Sequence, residues 1–64
     1  MGEEIRRTLL QCKGEAVEII TRTDGRINGT ISWLSPDRCM AEITKKDGEI
    51  ETVWDTRIKS IKRV

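Results

Sequence analysis

The sequence predicts a mainly β fold, with one short N-terminal α-helix ahead of a five-stranded, strongly bent antiparallel barrel. The apolar spacing changes from helical to alternating at Glu15. Asp-Gly pairs at 24–25 and 47–48 each sit between apolar runs, a strong hairpin signal. Gly29 lies in the middle of a strand-like run, where a glycine marks a sharp bend or the close approach of another backbone. With 64 residues the chain forms one domain, 1–64, with the helix at 3–13 and the barrel at 15–64.

In EEIRRTLLQCK, residues 3–13, Ile5, Leu9 and Cys12 fall at i, i+4 and i+7, and Leu10 widens the stripe. Glu3 and Glu4 open the helix, Lys13 closes it and Gly14 ends it. About three turns are marginal alone, so the helix must dock. EAVEIITRT then puts Val17 and Ile19 on one face and Glu18 on the other. Ile20, on the face of Glu18, is a candidate contact for the helix. Gly25 is expected to supply the positive φ of the first hairpin.

In RINGTISWL, Ile27, Gly29, Ile31 and Trp33 are expected inward, with Trp33 as core filler. Ser35-Pro36-Asp37 is a loop. RCMAEIT follows, with Cys39, Ala41 and Ile43 on one face. After the second hairpin, EIETVW places Ile50, Thr52 and Trp54 on one face and Val53 opposite, with Glu49 and Glu51 outward. RIKSIKRV supplies a short fifth strand around Ile58 and Ile61.

Composition narrows the function classes. Twelve Lys and Arg stand against eleven Asp and Glu, a net charge of +1, so bulk charge does not mark a nucleic-acid binder. A local patch would have to do so. The C-terminal run offers Arg57, Lys59, Lys62 and Arg63, to which Arg6 and Arg7 could add; the other reading is a solvated basic edge that blunts a terminal strand. The sequence has no histidine, no tyrosine and no Cys-x-x-Cys pair, so neither a zinc site nor an enzyme is expected, and no cofactor. Cys12 and Cys39 read as reduced, buried residues of a cytoplasmic protein. No apolar run approaches the ~20 residues of a membrane span.

The stretch VEIITRTDGRINGTI, residues 17–31, resembles the first motif of the Sm-like family. In that motif an apolar strand meets an Asp-Gly turn and a glycine follows four residues later. Asp37-x-x-Met40 resembles the motif's end. The resemblance covers essentially the whole chain and implies an SH3-like barrel, RNA binding, and ring assembly by pairing the fourth strand of one subunit with the fifth of the next. Such RNA sites use an aspartate, a stacking residue and an asparagine. Here Ala41 follows Met40, and Trp54-Asp55 stands where the second motif carries Arg-Gly. A weaker resemblance is to the Rof family of Rho inhibitors, through Leu9–Cys12, Asp24-Gly25 and Trp54-Asp55 leading to Ile58. It implies a protein-interaction module that regulates a nucleic-acid-handling partner without reading RNA, although that family's acidic excess is missing here.

The candidate RNA-binding residues are therefore Asp37, Arg38, Met40, Trp54, Arg57, Lys59, Lys62 and Arg63. Arg38 suits a phosphate or base contact, or is a solvated loop charge. Trp54 reads as core, as a stacking platform or as an anchor for another subunit, and Met40 as core or rim. The candidate oligomer interface is Ile50, Val53, Ile58 and Ile61. RNA, a protein partner and a homo-oligomeric ring are the candidate partners, and no membrane is.

Overall fold

The computed structural model describes residues 3–64. Its elements are α1 (Glu3–Gln11), β1 (Ala16–Thr21), β2 (Arg26–Leu34), β3 (Met40–Thr44), β4 (Ile50–Trp54), a 3-10 turn at Asp55–Arg57, and β5 (Ile58–Arg63). The five strands form one antiparallel sheet in the order β4-β3-β2-β1-β5. The sheet is open: β4 and β5 are its edges, and barrel closure is not part of its hydrogen-bond pattern.

The helix ends at Gln11, before Lys13. Gly14 follows in the left-handed region (φ 83°), and its N–H donates to the Ile31 carbonyl at 2.8 Å. That bond ties the helix end to β2. Leu9 and Cys12 enter the core with Val17 and Ile19 of β1, Ile27 and Ile31 of β2, Ala41 and Ile43 of β3, Val53 and Ile58. Ile5, Leu34 and Ile61 pack at its margin, whereas Ile20 is half-buried outside it. The helix packs on β5 and β2. Each buried Leu, Ile or Val contributes about 1.5–3 kcal/mol.

The hairpins share one turn. In each, a backbone N–H donates to the carbonyl three residues earlier: Asp24 to Thr21, Arg38 to Ser35, Gly48 to Lys45. Each of these donors is left-handed, with φ of 65°, 61° and 89°. In the first hairpin the positive φ thus belongs to Asp24 and not to Gly25. Asp tolerates that region better than most residues. At Gly25 a Cβ would lie 3.0 Å from Thr21 Oγ1, so a side chain there would press on the hydroxyl that accepts the Gly25 N–H.

Two strands differ in phase from the alternation read in the sequence. The β2–β3 register runs Thr30↔Thr44, Ile31↔Ile43, then Trp33↔Glu42 and Leu34↔Ala41, with a shift between Ile31 and Trp33. An extra residue in β2 reverses the faces, so Leu34 turns to the core and Trp33 turns outward, 39% exposed. In β4 the hairpin sets Thr44 opposite Ile50 and the buried Ala41 opposite Val53. Val53 is therefore inside with Glu51 on its face, and Ile50 and Trp54 are outside, 61% and 52% exposed. Cys39 precedes β3 and is half-buried; Cys12 is buried, and both are free thiols.

Candidate nucleic-acid interface

The loop between β2 and β3 is held by its own side chains. Ser35 Oγ donates to Asp37 Oδ1 at 2.7 Å, the Cys39 N–H donates to the same oxygen at 3.1 Å, and the Met40 N–H donates to Ser35 Oγ at 3.1 Å. The Ser35 hydroxyl, followed by the Cys39 N–H, holds the Asp37 carboxyl below its usual range. Asp37 therefore spends one oxygen on the loop. Its other role is as part of a shallow cleft formed with Pro36, Met40 and Trp54.

Trp54 is the centre of the site. It faces Met40 across the β3–β4 ladder, and it lines two clefts. One is the Pro36–Asp37–Met40 cleft. The other lies between the first hairpin and β4 and is lined by Arg22, Arg26 and Arg57. Trp54 is outside because the residue after it turns in. Asp55 is 5% exposed, its N–H donates to the Cys39 carbonyl at 2.8 Å, and its Oδ2 lies 3.3 Å from Arg6 Nη1. Arg6 also donates to Cys39 Sγ at 3.7 Å, and this bond, with Asp55 nearby, raises the guanidinium's pKa.

The other predicted residues are dispersed. Arg38 is exposed but lines a groove with Glu3, Arg6, Arg7 and Leu10 of α1, away from Trp54. Lys59 lies 3.7 Å from Asp24, and Arg63 lies 3.1 Å from Glu15. Lys62 is exposed and faces Glu18 across the β1–β5 ladder. The C-terminal cations are thus spread along β5 with carboxylates beside them and do not form one patch. Arg6 is engaged by Asp55 and does not join them. Of the interface candidates, Val53 and Ile58 are buried inside the chain, Ile61 is half-buried, and Ile50 is exposed.

Sequence reading missed Arg22 and Arg26. The signal was present in TRTDGR, where two arginines flank a hairpin turn. It pointed to a cleft only once the fold set that turn beside Trp54 and Arg57.

A scan against protein families finds no match, and a search of curated proteins finds none. Among solved structures, the chain is similar to one from "Structural basis of the Dcp1:Dcp2 mRNA decapping complex activation by Edc3 and Scd6", with a TM-score of 0.76 and 14% identity over 88% of this chain and 58% of that one. At that identity the likeness is one of fold. The chain spans little more than half the length of that neighbour. Among the described residues no helix is long and apolar enough to cross a membrane.

Proposed function

We propose that the chain is a non-enzymatic, cytoplasmic Sm-like protein that binds single-stranded RNA around Trp54 and assembles into a homo-oligomeric ring. The half-exposed indole of Trp54, with Met40 on one side and arginines on the other, carries the RNA reading. A base stacks on such a platform whatever its sequence, and arginines beside it take the phosphate. Five antiparallel strands behind a helix, with a glycine in the second where the β3 backbone approaches closely, support the Sm-like assignment. The neighbour from an mRNA decapping complex fits a role in RNA metabolism.

The ring reading rests on the two free sheet edges. Glu49 and Glu51 flank Ile50 at the β4 edge, and Lys59, Lys62 and Arg63 lie along β5. Opposite charges on the two edges favour pairing one subunit's β4 with the next subunit's β5. Light scattering at several concentrations tests this: a closed multimer is expected, and a monomer at high concentration ends the ring. Titration with oligouridylate and oligoadenylate at varied ionic strength tests RNA binding, which should weaken as salt rises.

A second reading is favoured by one observation. Trp33, Ile50 and Trp54 are exposed, and Ala41, where an Sm-type asparagine is expected, is buried. These features suit a protein-docking module acting on a nucleic-acid-handling partner. Absence of RNA binding at low salt, with a monomeric chain, would select it.

A further inference from the structure

The cleft between the first hairpin and β4 has a volume of about 390 Å³, in the ~300–1,000 Å³ range of small-ligand sites. Its lining includes Arg22, Arg26, Arg57, Thr23, Trp54 and one carboxylate, Glu51. That carboxylate is already held by Lys45 at 2.6 Å. Among the described residues, five cations have an ion-pair partner: Arg6 with Asp55, Arg26 with Glu18, Lys45 with Glu51, Lys59 with Asp24 and Arg63 with Glu15. Two of the cleft's three arginines, Arg22 and Arg57, have no carboxylate among the described residues within the 4.0 Å of an ion pair, while Arg26 pairs with Glu18 at 3.8 Å.

The arginines are also positioned. The Arg22 N–H donates to the Arg57 carbonyl at 2.8 Å, and Arg22 Nε donates to the Thr56 carbonyl at 2.8 Å. These bonds lock the first hairpin onto the 3-10 turn after β4. They fix the direction of the Arg22 side chain while leaving its two Nη groups to bond elsewhere. Guanidinium forks lining one cleft, two of them without a counter-ion among the described residues, match the oxygens of a phosphate. The indole at the cleft's rim matches a base.

We propose that this cleft holds one nucleotide unit, with its phosphate on Arg22, Arg26 and Arg57 and its base on Trp54. The assignment deepens the RNA reading and rests on it. It makes the phosphate obligatory and places it at the first hairpin and Arg57, away from the β2–β3 loop and the β5 cations Lys59, Lys62 and Arg63.

The test uses the full chain carrying Trp33→Phe, so that Trp54 alone fluoresces. Uridine 5′-monophosphate, uridine, inorganic phosphate and a uridine hexanucleotide are titrated at low salt. The monophosphate should saturate the Trp54 signal, with uridine and inorganic phosphate each at least about tenfold weaker. Arg26→Ala with Arg57→Ala should lower monophosphate affinity about tenfold or more. Both residues are exposed, and an unchanged melting temperature verifies the fold. Arg22→Lys, which keeps the charge and loses the fork, should weaken binding as well. Equal binding of uridine and its monophosphate, or full affinity in the Arg26/Arg57 variant, would overturn the assignment, as would inorganic phosphate as tight as the nucleotide. The two readings separate through the hexanucleotide. Binding that needs Trp54 but not the arginines overturns the cleft and leaves the RNA reading. Arginine-dependent monophosphate binding, with the hexanucleotide no tighter, upholds the cleft and ends the RNA reading.

Discussion

Gly29 is the residue on which the sheet's geometry turns. A Cβ built there would lie 2.5 Å from the Thr44 carbonyl oxygen and 2.8 Å from Ile43 Cγ2. The nearer obstacle is backbone, which cannot swing aside. Gly29→Ala should therefore cost about 1–3 kcal/mol, read as a lower midpoint in urea unfolding at constant slope. Asp37 is a second such residue. Its carboxyl is held below its usual range by Ser35 Oγ and the Cys39 N–H, so the folded loop favours the ionised form. A depressed value means that the stabilisation is complete above the ordinary carboxylate range and is lost as pH falls through the lowered one. Thermal melts between neutral and acidic pH should show that loss in the native chain and a smaller acid dependence in Asp37→Ala. Arg38, left-handed with φ 61°, shows what the Asp37 contacts hold in place, since an arginine enters that region at a cost.

The elements differ in how plainly the sequence announces them. The helix is carried by Ile5, Leu9 and Cys12 at one spacing, and the strands by alternation; both match the structure to within a few residues. The faces of two strands were not legible. Period-two reading cannot see the register shift between Ile31 and Trp33, so it sends Trp33 inward and leaves Leu34 unplaced. In β4 it has no way to know which side meets Ala41, because that depends on where the hairpin closes. The site suffered in the same way. Trp54 and Arg57 were visible as residue types, whereas Arg22 and Arg26 join them only through the backbone bond from Arg22 to Arg57. The helix gives a prediction at this scale. Being short, it is stable only through docking, and Leu9 is wholly buried at the contact. Leu9→Ala should destabilise the domain by about 2–5 kcal/mol in chemical denaturation.

At the scale of the whole molecule, a chain of net charge +1 pairs Arg6, Arg26, Lys45, Lys59 and Arg63 with carboxylates, while Arg22 and Arg57 line the Trp54 cleft with no ion pair among the described residues. The edges of the open sheet carry charges of opposite sign, and ring assembly would use both. Glu49→Lys with Glu51→Lys should lower the mass seen by light scattering to that of smaller species; an unchanged multimer would remove the edge pairing. The RNA reading meets its most direct test at Trp54. Stacking on an aromatic contributes roughly 1–3 kcal/mol per base. Fluorescence anisotropy of a labelled oligouridylate at low salt should therefore show Trp54→Ala binding at least about fivefold more weakly than the native chain. Trp33→Ala should leave the affinity unchanged. Equal affinity in the Trp54→Ala and native chains would contradict the account.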